Sequence, residues 1–189
     1  MVGFKVKYYW FQIGSEDFLF SFFSTVAYNL ENNQWGTKFP VIMNELYLGE
    51  LNNTHIPEAI NELKRIKQGL AKHSPDQVVW NIKNLSAQPP WQTNISDDIT
   101  DLSNYFVTSD GEDFITIFNH ALQKAEELNC ALTITKHLIL KYFQIRHIEA
   151  ARMTRHTVRL AVFCNCNELV MSYFFLFYAK SEIIYPSSE

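Results

Sequence analysis

The residues best suited to chemistry lie in one stretch, "SAQPPWQTNISDDITDLSNY", which runs from Ser86 to Tyr105. Asp97, Asp98 and Asp101 bring three carboxylates close together in sequence, and carboxylate oxygens are ligands that Mg²⁺ and Ca²⁺ prefer. The calcium-loop pattern Asp-x-Asp-x-Asp-Gly is not matched, and no phosphate-binding glycine loop accompanies the acids. The cluster of carboxylates allows one interpretation, a small metal-assisted hydrolase. A second interpretation is that the acids only cap a short helical turn.

The same stretch also has the composition of a protein-docking surface. Pro89 and Pro90 restrict the backbone before binding, which lowers the entropy cost of ordering the loop. Tryptophan and tyrosine are residue types that often dominate binding energy, and uncompensated acids would steer a basic partner toward the loop. This third interpretation predicts a partner-binding site composed of Trp91, Asp97, Asp98, Asp101 and Tyr105.

Other motifs for catalysis or cofactor binding are missing from the sequence. It contains no P-loop, no dinucleotide-binding glycine cluster and no Gly-x-Ser-x-Gly elbow. His55, His73 and His120 are lone histidines, and a general base needs a partnering acid or nucleophile. The Cys164-x-Cys166 pair is spaced more tightly than the usual zinc-finger ligands. We therefore predict no catalytic residue, no metal site and no cofactor.

Charge and composition divide the chain near residue 135. The protein has 189 residues, 47% of them hydrophobic, and a formal net charge of −4. Residues 1–135 carry a net charge of −7, whereas residues 136–189 carry +3 and contain neither glycine nor aspartate, which normally supply turns and caps. We therefore predict a domain at 1–135 and an extension at 136–189 that is either helical or without selected structure. A chain ending near Thr135 should then fold by itself.

The overall composition argues against several classes of protein. A negative net charge gives no electrostatic basis for direct nucleic-acid binding. The N-terminal run "MVGFKVKYYWF" lacks a signal-peptide cleavage site, and no apolar run reaches the ~20 residues of a membrane span. Three cysteines, an odd number, do not form a secreted disulfide framework. These features predict a cytoplasmic protein without a membrane segment.

Hydrophobic patterns in the first half predict a strand followed by helices. The run "FKVKYYWFQIG", rich in aromatic and β-branched residues, predicts a first strand that ends at Gly14. Ser15 is then the predicted cap of an apolar helix, "EDFLFSFFSTVAYNLE". A short helix is predicted after Pro40. Pro57 opens an amphipathic helix whose exposed face is predicted to include Glu62.

The patterns that follow predict more strands and one more helix. The segments "QVVWNI" and "YFVT" are predicted as short strands, and "CALTI" is predicted as the last strand. Ser109 and Glu112 have the spacing of a capping box, which predicts the start of a helix. Together these elements predict an α+β fold, with a small β-sheet covered by about four helices.

Four segments of the chain resemble the immunity protein 70 family. They are "FQIGSEDFLFSFFSTVAYNLE", "WGTKFPVIMNELYLGEL", "VVWNIKNLSAQPPW" and "NISDDITDLSNYFVTSDGEDF", and the resemblance covers about residues 1–130. It implies a bacterial immunity protein of a polymorphic toxin system, which binds a cognate toxin domain and neutralises it without catalysis of its own. Many such toxins attack nucleic acid and are basic, so the negative charge of residues 1–135 suits this role.

Overall fold

A computed structural model describes residues 1–136. These residues form a four-stranded antiparallel sheet in the order β2-β1-β4-β3, together with three α-helices and several short helical turns. The predicted α+β class, a small sheet covered by helices, is confirmed. The strands are β1 (Val2–Val6), β2 (Tyr9–Gly14), β3 (Glu50–Leu51) and β4 (Leu132–Lys136), and the helices are α1 (Glu16–Leu30), α2 (Ile56–Leu70) and α3 (Phe114–Glu127).

The N-terminal run predicted as one strand is a hairpin of two strands. β1 and β2 pair antiparallel, and the chain reverses at Lys7, whose φ of 52° lies in the left-handed region. Glycine or asparagine is the usual signal for such a turn, and the sequence has neither at this point. β1 lies between β2 and β4, and its Phe4 packs on α3, with 4.6 Å between the ring centroids of Phe4 and Phe118.

Helix α1 begins and packs as its sequence predicts. The Ser15 hydroxyl accepts a hydrogen bond from the Phe18 N–H at 3.1 Å, so Ser15 is the N-cap. The Phe22 side chain is fully buried, and its ring centroid lies 5.4 Å from that of Phe106 and 4.8 Å from that of Phe114. Helix α1 therefore joins α3 and the loop before α3 in one aromatic core.

The prediction that Glu62 lies on the exposed face of α2 is wrong. Glu62 is 1% exposed, and its carboxylate accepts hydrogen bonds from the N–H groups of Val41 (3.2 Å) and Ile42 (2.8 Å). Burial raises the pKa of Glu62, while the hydrogen bonds from Ile42 and Val41 and the charge of Arg65 act in the opposite direction. The carboxylate is buried because it satisfies amide groups that a helix start leaves without a partner.

The short helix predicted after Pro40 is confirmed in outline, and it begins at the amides of Val41 and Ile42. It consists of a π-helical turn, Val41–Glu45, followed by a 3₁₀ turn, Leu46–Leu48. The segment ends at Gly49, whose φ of 115° is a conformation that glycine adopts without steric cost. The buried Glu62 carboxylate thus fixes the start of this segment, and Gly49 ends it.

Two of the predicted strands do not form. In "QVVWNI" the backbone N–H and C=O of Val79 bond to the Thr25 hydroxyl, at 3.0 and 3.2 Å, instead of to a neighbouring strand. In "YFVT" the backbone makes an isolated bridge between Val107 and Asp113. Both segments have β-type composition, but their backbone groups are satisfied by side chains and turns, and strand pairing depends on such context.

The predicted capping box at Ser109 is also wrong, because Asp113 caps α3. The Asp113 carboxylate accepts from the Thr116 N–H at 2.7 Å. Ser109 lies in a turn before the helix, where Gly111 has a φ of 91°, and its N–H donates to the Ile13 carbonyl at 2.9 Å. The turn thus ties the start of α3 to strand β2.

The strand predicted in "CALTI" is confirmed as β4, which pairs with both β1 and β3. β4 continues through Lys136. The domain boundary at 135 and the nature of the extension stay predictions, because residues 137–189, with Cys164 and Cys166 among them, lie outside the described residues.

Candidate partner-binding surface

The loop 86–105 is part of a longer irregular segment that hydrogen bonds fix to α1 and to the turn that follows α2. The Ser24 hydroxyl accepts from the Ile82 N–H at 3.3 Å, just before the loop. Near the end of the loop, the Leu102 N–H donates to the His73 carbonyl at 3.0 Å, and the Leu102 side chain is fully buried. The chain just before the loop is therefore held against α1, and the end of the loop is held against the turn that follows α2.

The structure brings Trp91 and Tyr105 together at the base of this loop. The Trp91 Nε1–H donates to the Tyr105 hydroxyl at 3.0 Å, and Trp80 packs edge-on against Trp91 with 5.3 Å between centroids. Tyr105 is 4% exposed and packs on Phe106. Burial raises the pKa of Tyr105, and the Trp91 hydrogen bond acts in the opposite direction. The ring of Tyr105 therefore supports the loop from inside the protein.

Asp101 shapes the turn in which it lies. Its carboxylate accepts from the Ser103 N–H at 2.8 Å and from the Thr100 hydroxyl at 3.1 Å. Hydrogen bonding from Ser103 is the main cause that lowers the pKa of Asp101, and burial opposes it. Hydrogen bonding from Thr100 and the charge of Lys67 lower this pKa further. Asp101 therefore stays ionised at neutral pH with its oxygens directed at its own loop.

Asp97 and Asp98 are exposed, in contrast to Asp101. The Asp98 carboxylate accepts a long hydrogen bond from the Ser96 hydroxyl at 3.4 Å. The backbone carbonyl of Asp98 accepts from the Asn104 side-chain amide at 2.9 Å, which closes the loop behind the two acids. These two carboxylates are the predicted site residues best placed to meet a cationic partner.

The three aspartates are not gathered into a group of metal ligands in residues 1–136. Across residues 1–136, no group of three His, Cys, Asp or Glu side chains is arranged to hold a metal ion. The metal-assisted hydrolase therefore lacks a gathered set of ligands in this part of the chain.

The histidines of residues 1–136 also fail to suggest catalysis. His55 Nδ1 lies 2.6 Å from the Glu45 carboxylate on the surface, and His73 Nδ1 lies 3.0 Å from the Gln77 side-chain oxygen. His120 is exposed on α3. The glutamate and glutamine partners of His55 and His73 orient the rings, and neither pair contains a serine or cysteine nucleophile.

Two buried glutamates were missed by reasoning from sequence. Glu31 is 1% exposed, and its carboxylate accepts from the N–H groups of Gly36 (2.7 Å), Lys38 (2.8 Å) and Phe39 (3.0 Å). The Glu62 carboxylate likewise accepts hydrogen bonds from the first two N–H groups of the turn Val41–Glu45. A signal for Glu62 exists, because it lies three residues after the buried Ala59 and so falls within the apolar stripe of α2.

Comparison with known proteins identifies the family. The family model described as immunity protein 70 matches residues 4–134. The chain belongs to the immunity protein 70 family. No curated protein and no solved structure matches it.

Membership of the immunity protein 70 family supports an immunity function in general and a toxin-inhibiting role. The matched region, residues 4–134, covers most of the sheet, the three α-helices and the loop 86–105, so the candidate surface lies within it. Among the described helices, none is long and apolar enough to cross a bilayer.

Proposed function

We propose that this immunity protein 70 family member binds one cognate toxin domain and blocks it by direct contact, without catalysis of its own. We place the encounter in the cytoplasm of a bacterium that carries a polymorphic toxin system. The observation that carries the proposal is the family match over residues 4–134. It is supported by the exposed carboxylates of Asp97 and Asp98 in the loop 86–105.

The proposed docking surface is the loop 86–105, in which the predicted residues have different tasks. Asp97 and Asp98 are exposed and would meet cationic groups of the toxin. Asp101 holds the turn, and the hydrogen bond between Trp91 and Tyr105 holds its base. A loop held in one conformation before binding loses less entropy when the complex forms.

The partner that fits this surface carries positive charge on the face it presents. Residues 1–135 have a net charge of −7, and this field would attract a basic domain from a distance. Domains that act on nucleic acid have basic surfaces. An acidic loop seated on such a surface would exclude the nucleic acid by occupying its place. The chemistry of this pairing favours a nucleic-acid-degrading toxin.

A co-expression experiment tests the proposed function. The toxin domain encoded beside this gene is produced in a bacterial host with or without the immunity protein, and growth is measured. We expect growth only when both are produced, and we expect an inactivated toxin domain to co-purify with the immunity protein. Restored growth with no complex, by calorimetry or gel filtration, would contradict neutralisation by direct contact.

Removing the loop charges is expected to slow association with the toxin. In the variant Asp97→Asn/Asp98→Asn/Asp101→Asn the association rate should fall by roughly 10-fold at low salt and by much less at 0.5 M salt, because salt already screens the attraction. Stopped-flow or surface-plasmon measurements at several salt concentrations give the rate. The dissociation rate should change less than the association rate.

A matched control separates the loop from the general charge of the protein. Glu50, Glu58 and Glu126 are exposed acids outside the loop, and changing all three to glutamine removes the same charge. We expect this control to associate at nearly the wild-type rate. If the two triple variants are slowed equally, or if the loop variant is not slowed, the docking surface lies elsewhere.

A further inference from the structure

A groove of 390 Å³ lies beside the first turns of α1. Most of its lining is apolar and comes from three places, the core side of the sheet, one face of α1 and the Leu46–Leu48 turn. The apolar side chains are Val2, Leu19, Phe20, Phe23, Tyr47 and Ile134. Tyr47 is 39% exposed, and its ring packs on that of Phe23 with 5.1 Å between centroids. The groove is therefore open to solvent and has room for a bulky side chain.

The charged residues of the groove favour a cation beside that side chain. Glu16 and Asp17 lie along it, together with Lys136. Lys136 pairs with Glu16 at 2.7 Å. This ion pair offsets the charge of Glu16 and does not directly offset that of Asp17. A lysine or arginine next to an apolar side chain would complement this arrangement.

The turn that carries Tyr47 is held by an unusual element. The π-helical turn Val41–Glu45 comes directly before it, and buried Glu62 binds the first amides of that turn. π-Helical turns are rare and occur often at functional sites. Glu62 and the turn Val41–Glu45 thus fix the position of Tyr47 before any toxin binds.

Helix α1 contributes both to the groove and to the aromatic core that follows the loop 86–105. Phe106 follows the loop directly and packs on Phe18, with 5.8 Å between ring centroids. Phe18 lies between Asp17 and Leu19, which both line the groove. The loop supplies exposed charge, but Tyr105 is buried beneath it. A tight interface also needs an apolar anchor in a pocket, and the groove offers that pocket.

We propose that the groove receives a bulky apolar side chain of the toxin, flanked by a lysine or arginine that meets Asp17. This inference rests on the proposed function and adds the chemistry of the segment that the toxin must present. It predicts an interface with two parts, in which charge is concentrated at the loop and apolar contact in the groove.

The test uses the full-length protein and an inactivated form of the toxin domain encoded beside its gene, with the dissociation constant measured by calorimetry. Tyr47→Ala should weaken binding roughly 30-fold, as loss of a hot-spot aromatic does. Tyr47→Phe keeps the ring and should stay within about two-fold of wild type. Asp17→Asn should weaken binding by about five-fold, and Asp76→Asn, which removes an exposed acid outside the groove, should not.

A measurement on the wild-type protein guards against a folding defect in Tyr47→Ala. The methyl groups of Ile134 line the groove, whereas Ile60 lies on α2 and does not, so their NMR signals serve as probe and control. Toxin should shift the Ile134 signals and leave those of Ile60 unchanged. Unchanged Ile134 signals overturn the inference while the proposed function stands. If the wild-type protein binds no toxin, both the inference and the proposed function are overturned. If the Ile134 signals shift with protein concentration in the absence of toxin, the groove binds a second copy of this protein, and the inference is overturned.

Discussion

Phe22→Ala is expected to lower the free energy of unfolding by about 3–5 kcal/mol, the usual cost of removing a buried phenylalanine ring. Phe22 is fully buried at the centre of an aromatic cluster that joins α1, α3 and the segment before α3. Its ring neighbours are Phe23, Phe106, Phe114 and Phe118. The resulting cavity would be lined by rigid rings that cannot close over it. Chemical denaturation gives the free energy, and the melting temperature should fall by roughly 6–20 °C.

Tyr8→Ala is the control for this variant, because Tyr8 is an aromatic residue that is 97% exposed at the β1–β2 turn. Its removal should change the free energy of unfolding by less than about 0.5 kcal/mol. Tyr105, at the end of the loop 86–105, packs on Phe106, which packs on Phe22, so partial unfolding of Phe22→Ala should also weaken toxin neutralisation. Similar stability of Phe22→Ala and Tyr8→Ala would show that the aromatic cluster is not the core of the protein.

Glu62→Ala is expected to lower the free energy of unfolding by about 3 kcal/mol, because it leaves the buried N–H groups of Val41 and Ile42 without their acceptor. Glu58→Ala is the matched control on the same helix. Glu58 pairs with Arg65 on the surface and its side chain is 53% exposed, so its removal should cost at most about 0.5 kcal/mol. Equal losses in the two variants would mean that Glu62 does not hold the 40–49 segment.

The stability that Glu62 contributes should also depend on pH. Burial raises the pKa of Glu62 in the folded protein above its ordinary value of 4.5, so the folded state binds a proton more tightly than the unfolded state. Between these two pKa values stability from this group falls as pH rises. The stability of the wild type relative to Glu62→Gln should therefore decrease as the pH rises above about 4.5. A difference that grows with pH would contradict the raised pKa.

The helices and the family could be predicted from sequence because their signals are local. Ser15 caps α1 as expected, and the apolar spacing of α2 and α3 follows the helical repeat. The resemblance to the immunity protein 70 family rests on long segments, and the family match bears it out. The acids, prolines and aromatic residues of the loop 86–105 mark it as a candidate site in the sequence, and its docking role stays a prediction.

The sequence by itself determined the start of α1, the apolar spacing of the helices, the acidic character of residues 1–135 and the family. Only the tertiary structure decided that Tyr105 supports the loop from below, that "QVVWNI" forms no strand and that Glu62 is buried. Each of these depends on a partner distant in the chain: Trp91 for Tyr105, Thr25 for Val79, and the amides of Val41 and Ile42 for Glu62. A polar group can leave water only where a second group replaces the lost hydrogen bonds, and folding alone brings that second group close.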